Sequence, residues 1–271
     1  MNNLEKRMVT VLEDLKENHH VIGVKAEFEA EGTRLEEAMR LKDVVSKAGL
    51  DLTIKIGGCE ALKDLYEARL IGASRIIAPM IESDYALKKF LAAVKVAFPE
   101  EERDEISFLI NVETITGFNN FDKMLNINEI KELDGIVFGR TDMTRSLGLP
   151  GENENSDQIL KIAESLFVRA KEKSLECCMG GGISADALGF INKLPERSLD
   201  KYETRKIIFK CPEALAENAG EGILKAIDFE LMWLKNKRDF YGLIYSENEQ
   251  RLSIIKERYQ KLVEQTKKVR I

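Results

Sequence analysis

The chain has little of what acid–base and soft-metal chemistry usually draws on. Its 271 residues include two histidines, the adjacent His19 and His20, and four cysteines. Cys59, Cys177, Cys178 and Cys211 show no paired CxxC spacing, and Cys177-Cys178 falls inside an apolar run. They read as reduced, mostly buried thiols rather than as a zinc site or a disulfide framework. No run approaches the roughly 18 apolar residues of a membrane span. The N-terminal MNNLEKRMVTVLEDLKENHH has no apolar leader core, so a soluble cytoplasmic protein with no membrane partner is expected. A net charge of −6 offers no positive field for a polyanion, which argues against nucleic acid as a partner. The two histidines close a predicted helix ahead of the first strand, and no catalytic or ligand role is expected for them.

What is present is an ordinary globular balance, 44% hydrophobic and 32% charged, in a length that suits one α/β domain. Residues 3–18 carry apolar side chains at helical spacing. Strands are expected at 21–29 (VIGVKAEFE), 52–57 (LTIKIG), 74–80 (SRIIAPM), 108–113 (FLINVE), 135–138 (GIVF), 175–182 (LECCMGGG) and 206–210 (KIIFK). Helices are expected between them: one opened by Thr33 as N-cap with Glu36, others at 60–71, 84–98, 156–173 and from Ser184. FPEEERDE reads as a solvated loop, and KLPERSLDKYETR as a polar excursion. From Pro212 the chain reads as helical, with a break near 241–246. This alternation is that of a TIM-like (β/α)8 barrel with an extended helical C-terminus, here one domain over 1–271 with an N-terminal helix in 1–20. Seven strands are legible; the eighth would precede Val21, where the pattern reads as a helix, so either the barrel closes imperfectly or MVTVL is a strand. The helical surplus at 212–271, which includes Trp233, Phe229 and Phe240, fits a subunit interface in a homo-oligomer.

Two strands end on charge. FLINVE closes on Glu113, and GIVFG is followed at once by Arg140 and Asp142. In α/β folds ligands bind beyond the carboxyl ends of the strands, so charges there carry more information than charges on a helix face. Lys25, Glu27 and Glu29 share one face of the first strand, Lys55 sits on the second, and Gly180, Gly181 and Gly182 end the strand after GIVF. A buried salt-bridge network is an equal reading of Lys25, Glu27 and Glu29.

INVETITGFNNFDKML followed by LDGIVFGRTDMTRSLGLPG resembles the paired signature of the HpcH/HpaI aldolase and citrate lyase β-subunit family. IKIGGCEALKDLYEARLIGASRIIAPMIES is similar to the segment upstream, so the resemblance covers about residues 21–182. It implies a TIM barrel of the phosphoenolpyruvate/pyruvate type that makes or breaks a carbon–carbon bond beside a keto acid or acyl group, using a divalent metal. Matched position by position, Glu113 and Asp142 would be the metal ligands. As hard oxygen donors without a nearby histidine or cysteine, they favour Mg2+ or Mn2+.

Enolate chemistry also needs a cation for the substrate carboxylate and a base. The family's arginine is replaced by Lys55, which keeps the charge without the bidentate fork; Arg140 is a candidate to restore that fork. The family's early histidine is replaced by Ala30, so the matching AEFEAEG is closer to the citrate lyase branch, with Glu27 or Glu29 left as candidate base. Lys25, the glycines at 180 to 182 and Lys210 are candidate substrate-binding residues, with Lys210 expected at the same mouth. Two other readings stay open: a phosphoenolpyruvate- or phosphosugar-using synthase, and a catalytically inactive barrel serving as a binding or assembly subunit.

Overall fold

A computed structural model describes residues 1–269, with side chains as far as residue 265. The last two positions of the expected 212–271 helical region lie outside it. The chain divides into two units, Met1–Glu230 and Leu231–Ile271. The elements are α1 (Asn3–His19), β1 (Val21–Glu27), α2 (Leu35–Lys47), β2 (Asp51–Lys55), α3 (Leu62–Ile71), β3 (Arg75–Ala78), α4 (Asp84–Ala97), α5 (Glu100–Arg103), β4 (Ser107–Val112) and α6 (Ile115–Leu125). They continue with β5 (Gly135–Gly139), α7 (Arg140–Ser146), α8 (Asp157–Glu172), β6 (Glu176–Gly180), α9 (Leu188–Ile191), β7 (Lys201–Glu203), β8 (Ile207–Lys210) and α10 (Ala219–Val269).

The eight strands form a closed barrel in sequence order. Neighbours from β1 to β7 are parallel, but β8 runs antiparallel to both β7 and β1. The barrel is therefore TIM-like with one reversed strand. The eighth strand does not precede Val21, where α1 lies; it is β7, inside the segment taken for a polar excursion. Only residues 204–206 separate β7 from β8, far fewer than the dozen or more a parallel crossover requires, so the pair must be a hairpin.

Local signals set most boundaries. The Ser83 hydroxyl accepts from the Ala86 N–H at 3.1 Å to open α4, and the Thr114 hydroxyl accepts from Gly117 at 3.1 Å to open α6. α3 stops at Gly72, which takes the left-handed conformation. Thr33 does not cap α2: its hydroxyl meets Glu31 at 3.3 Å, and the helix starts at Leu35, with the Arg34 N–H donating to Glu37 at 3.3 Å. The acidic loop after Phe98 holds the single turn α5. From Ser184 a 3-10 turn at Ala185–Ala187 leads into the four-residue α9. α10 has no break at 241–246.

The two-residue period of the strands stacks the barrel interior in tiers. At the end where β1 to β7 begin, Arg75 Nη1 meets Glu176 Oε1 at 3.1 Å, and Lys201 also pairs with Glu176. Two residues on lies an apolar plug of Ile77, Leu109, Val137 and Cys178, each buried. Beyond it the interior turns polar again, with Lys25, Glu27, Lys55, Asn111, Glu113 and Glu203 all buried. That last tier is the barrel mouth.

Candidate active site

The mouth holds a cleft of about 350 Å³, floored by Val137 of the plug and walled by charged side chains from several strands. Glu113 stands one residue past β4, with its side chain 2% exposed. Its Oε2 accepts from the Asn111 amide at 2.7 Å, and its Oε1 accepts from the Met80 N–H at 3.1 Å. Met80 reaches that position with φ 51°, a left-handed backbone that costs energy in a non-glycine residue. Gly139 makes room for the carboxylate: a Cβ there would lie 2.7 Å from Glu113 Oε2. Asp142 enters from the first turn of α7, and its side chain is 40% exposed.

Burial raises the Glu113 carboxyl above the ordinary glutamate range, and the Asp142 charge adds to it, against the opposing Lys55, Asn111 and Met80. The cations near these two acids stand back: Lys55 Nζ is 3.8 Å from Glu113, and Arg145 is 4.0 Å from Asp142.

Across the cleft the charges are tightly matched. Lys25 Nζ lies 2.5 Å from Glu203 and 3.0 Å from Glu27. Burial alone would depress the Lys25 ammonium, yet Glu203 and Glu27 hold it above its usual value. For Glu27 burial is the largest single influence and works upward, but the charge and hydrogen bond of Lys25 together with Lys55 and Arg205 outweigh it, and the carboxyl ends below the usual range. Glu29, less buried, receives Lys55 Nζ at 2.9 Å.

Three sequence expectations change here. Arg140 is 0% exposed and serves the glycine turn: it donates to Gly181 O at 2.7 Å, Gly182 O at 2.9 Å and Asn155 at 2.5 Å, with its guanidinium over the Phe190 ring. Burial pushes its pKa down to about 10. It supplies no fork to the cleft.

Gly181 and Gly182 line the cleft with positive φ, but an anion cradle gains nothing from the single-turn helix after them. A Cβ at Gly182 would fall 1.7 Å from a Glu154 oxygen, so that carboxylate already crowds the turn. Lys210 is not at the mouth. Because β8 is reversed, its last residue pairs with Lys201 at the start of β7, and the side chain meets Glu213 at 3.0 Å.

The reversal brings in residues that the sequence reading missed. The hairpin tip places Glu203, Thr204 and Arg205 on the cleft wall. Arg205, half exposed, stands 3.6 Å from Glu27 and 3.8 Å from Glu31. Lys206 is buried and paired with Glu31. Asn111 was legible only as part of a strand. The histidines lie at the far end of the barrel, before β1; burial lowers the His19 pKa, and its ring contacts Lys225 at 3.1 Å.

Among the described residues, no group of three histidine, cysteine or carboxylate side chains converges as a metal cage. Among the described carboxylates that line the cleft, Glu113 and Asp142 are the two whose ion pairs are longest, at 3.8 and 4.0 Å. Two hard carboxylates of like charge at an open cleft, one buried with a raised pKa, fit a cation that keeps several waters, as Mg2+ does. No helix among the described residues is long and apolar enough to cross a membrane.

A protein in Klebsiella pneumoniae named 2-keto-3-deoxy-L-rhamnonate aldolase is 24% identical over 177 residues, covering 53% of this chain. The chain spans 64% of that relative's length. Among solved structures, an HpcH/HpaI aldolase from Desulfitobacterium hafniense superposes with a TM-score of 0.58 at 16% identity, covering 73% of this chain and 81% of its own. An HpcH/HpaI aldolase/citrate lyase family protein from Burkholderia cenocepacia gives 0.55 at 13% identity, covering 71% and 89%. A variant of the citrate synthase SbnG also gives 0.55, at 15% identity, covering 85% and 90%. At these identities the structures speak for the fold alone. The family model for HpcH/HpaI aldolase/citrate lyase matches residues 35–201, more than half of the sequence and the span from α2 to the first residue of β7. The chain belongs to the HpcH/HpaI aldolase/citrate lyase family.

Proposed function

We propose that the protein is a carbon–carbon lyase that acts on a small keto acid, or a related acyl compound, through its enolate, with Mg2+ or Mn2+ held by Glu113 and Asp142. The observation that carries this reading is the pairing at the mouth. Lys25, Glu27 and Glu203 have short ion pairs, whereas Glu113 and Asp142 meet their nearest recorded cations at 3.8 and 4.0 Å. Family membership and the aldolase name of the Klebsiella relative support the reaction class.

A divalent cation bound there would stabilise negative charge developing on the keto oxygen. Lys55, fixed between Glu29 and Glu113, and Arg205, at the β7–β8 tip on the other side of β1, supply positive charge for the substrate carboxylate, and Arg205 offers the bidentate geometry that Lys55 lacks. Glu29 is the proton-moving group. It is more exposed than Glu27 and lies 2.9 Å from Lys55 Nζ on the cleft wall. Asn111 and the Met80 N–H orient Glu113. The plug below Val137 closes the cleft floor, so the substrate enters and leaves on the mouth side.

The test is calorimetry with Mg2+ or Mn2+ in the presence of oxalate, followed by release of pyruvate from 2-keto-3-deoxy sugar acids. Wild type is expected to bind metal more tightly with oxalate, and Glu113→Gln with Asp142→Asn to lose that binding. Absence of metal and oxalate binding in the wild type would sink the proposal. That outcome would favour the other reading, an inactive barrel used for binding or assembly, to which the missing family histidine at Ala30 gives some weight.

A further inference from the structure

Three carboxylates stand at every second position from the end of β1, and each has its own lysine. Glu27 pairs with Lys25 at 3.0 Å, Glu29 with Lys55 at 2.9 Å, and Glu31 with Lys206. The first two lysines line the cleft. Lys206 stands outside that lining, at the end of the β7–β8 turn, where it is 1% exposed and donates to Glu31. Burial pulls its ammonium below the usual value, against the opposing charge of Glu31. A lysine buried in this way needs a reason, because an apolar side chain of similar length would fill the space without the desolvation penalty.

We infer that Lys206 is a positioning residue: through its ion pair with Glu31 it fixes the turn at 29–32 and so holds the Glu29 carboxylate in the cleft. The inference rests on the reading of Glu29 as the proton-moving group. The geometry is that of a turn gripped from two sides. The Gly32 N–H donates to Glu29 O at 3.2 Å, with Gly32 in the left-handed conformation at φ 55°, and the Thr33 N–H donates to Glu27 O at 3.2 Å. Within this turn Glu29 is tied to Lys55 of β2, and Glu31 to Lys206 of the β7–β8 hairpin. One anchor fixes a point; two fix an orientation.

The reversed strand is what brings the second anchor. The Thr204 hydroxyl accepts from the Ile207 N–H at 3.1 Å and closes the short hairpin, and the Lys25 N–H donates to Lys206 O at 2.7 Å. The backbone of Lys206 is therefore held to β1, just ahead of the turn that its side chain grips. Arg205 reaches Glu31 only at 3.8 Å and is half exposed, so the buried pair is the tighter hold. A hairpin residue thus sets a carboxylate in the first loop through a partner 175 positions away in the chain. Reacting groups tolerate little displacement, and a shift of about 1 Å can cost about a hundredfold in rate.

The experiment uses the full chain with Lys206→Met, which removes the buried ammonium and leaves Glu31 beside Arg205. A second variant, Lys206→Met with Glu31→Gln, leaves no unpaired charge and keeps the question answerable if the first folds poorly. Hydrogen exchange of the 28–34 segment reads the turn itself, and is expected to rise about tenfold in both variants with β4 to β6 unchanged. Unchanged exchange overturns the inference whether or not the protein proves to be a lyase. Wild type that releases no pyruvate sinks the lyase reading instead, and exchange still decides whether Lys206 holds the turn. In kinetics, kcat for pyruvate release is expected to fall about tenfold, with KM and metal–oxalate affinity within about twofold of wild type. In a Glu29→Gln background the same Lys206→Met change should leave kcat within about twofold, because the group it positions is gone. An equal loss in that background, or a folded Lys206→Met protein with wild-type kcat, overturns the role assigned to Lys206.

Discussion

The two ends of the barrel interior hold the same kinds of side chain in opposite states. At the closed end, Arg75, Lys201 and Glu176 are locked together, and the surrounding Lys171–Asp200 and Lys210–Glu213 pairs are equally close. At the mouth, the β7–β1–β2 side is matched in this way, through Lys25 with Glu27 and Glu203 and Lys55 with Glu29, and the carboxylates beyond β4 and β5 are left with more distant cations. Charge that is fully paired holds a fold together; charge left half-paired beside a cleft is available to a ligand. The apolar plug between the tiers keeps them separate, so that changes at one end should leave the other untouched.

Four substitutions probe that contrast. The largest effect on stability belongs to the closed end. Glu176→Ala strands Arg75 and Lys201 with no shared acceptor and is expected to cost about 3 kcal/mol by chemical denaturation, with metal affinity unchanged in the protein that folds. Asp142→Asn should do the reverse: metal affinity falls at least tenfold in calorimetry, while stability stays within about 0.5 kcal/mol, because the side chain is partly exposed and only loosely paired. Equal losses in both measurements would dissolve the distinction between the ends. On the proposed function, Arg205→Ala is expected to raise KM for a carboxylate substrate about tenfold with kcat little changed, since there Arg205 would hold the carboxylate and not the reacting bond.

The smallest effect concerns acid. Although burial opposes it, the Lys25 charge lowers the folded-state pKa of Glu27 below its ordinary 4.5. A lowered carboxyl pKa gives stability that is present above that value and is lost as pH falls through the folded-state value. Glu27→Gln should therefore flatten the fall in stability below about pH 4.5, by about 1 kcal/mol or less, as read from urea midpoints across pH.

Much of the barrel could be read from the chain because its signals are local. Apolar β-rich runs and the Gly72 stop act over a few residues and were found where periodicity placed them, whereas the hydroxyl caps were not: Thr33 caps nothing, and the caps at Ser83 and Thr114 show only in the structure. β7 escaped because three residues cannot show a period, and its side chains, Lys201 and Glu203, are charged groups whose burial depends on partners from other strands. α10 was expected to break near 241–246, where Gly242 weakens helix propensity; the helix runs straight through that point.

The sequence by itself determined that Glu113 and Asp142 would line the same cleft. In parallel strands that alternate with helices, every strand end reaches the same face, so an acid closing β4 and another just past β5 must converge. Only the tertiary structure decided what surrounds them. The short hairpin reverses β8, which sends Lys210 to the closed end and brings Arg205 to the mouth. Close packing of Gly181 and Gly182 over Arg140 draws that arginine into the wall and away from the cleft. Strand direction and side-chain burial depend on contacts between residues distant along the chain, and those exist only once the barrel has closed.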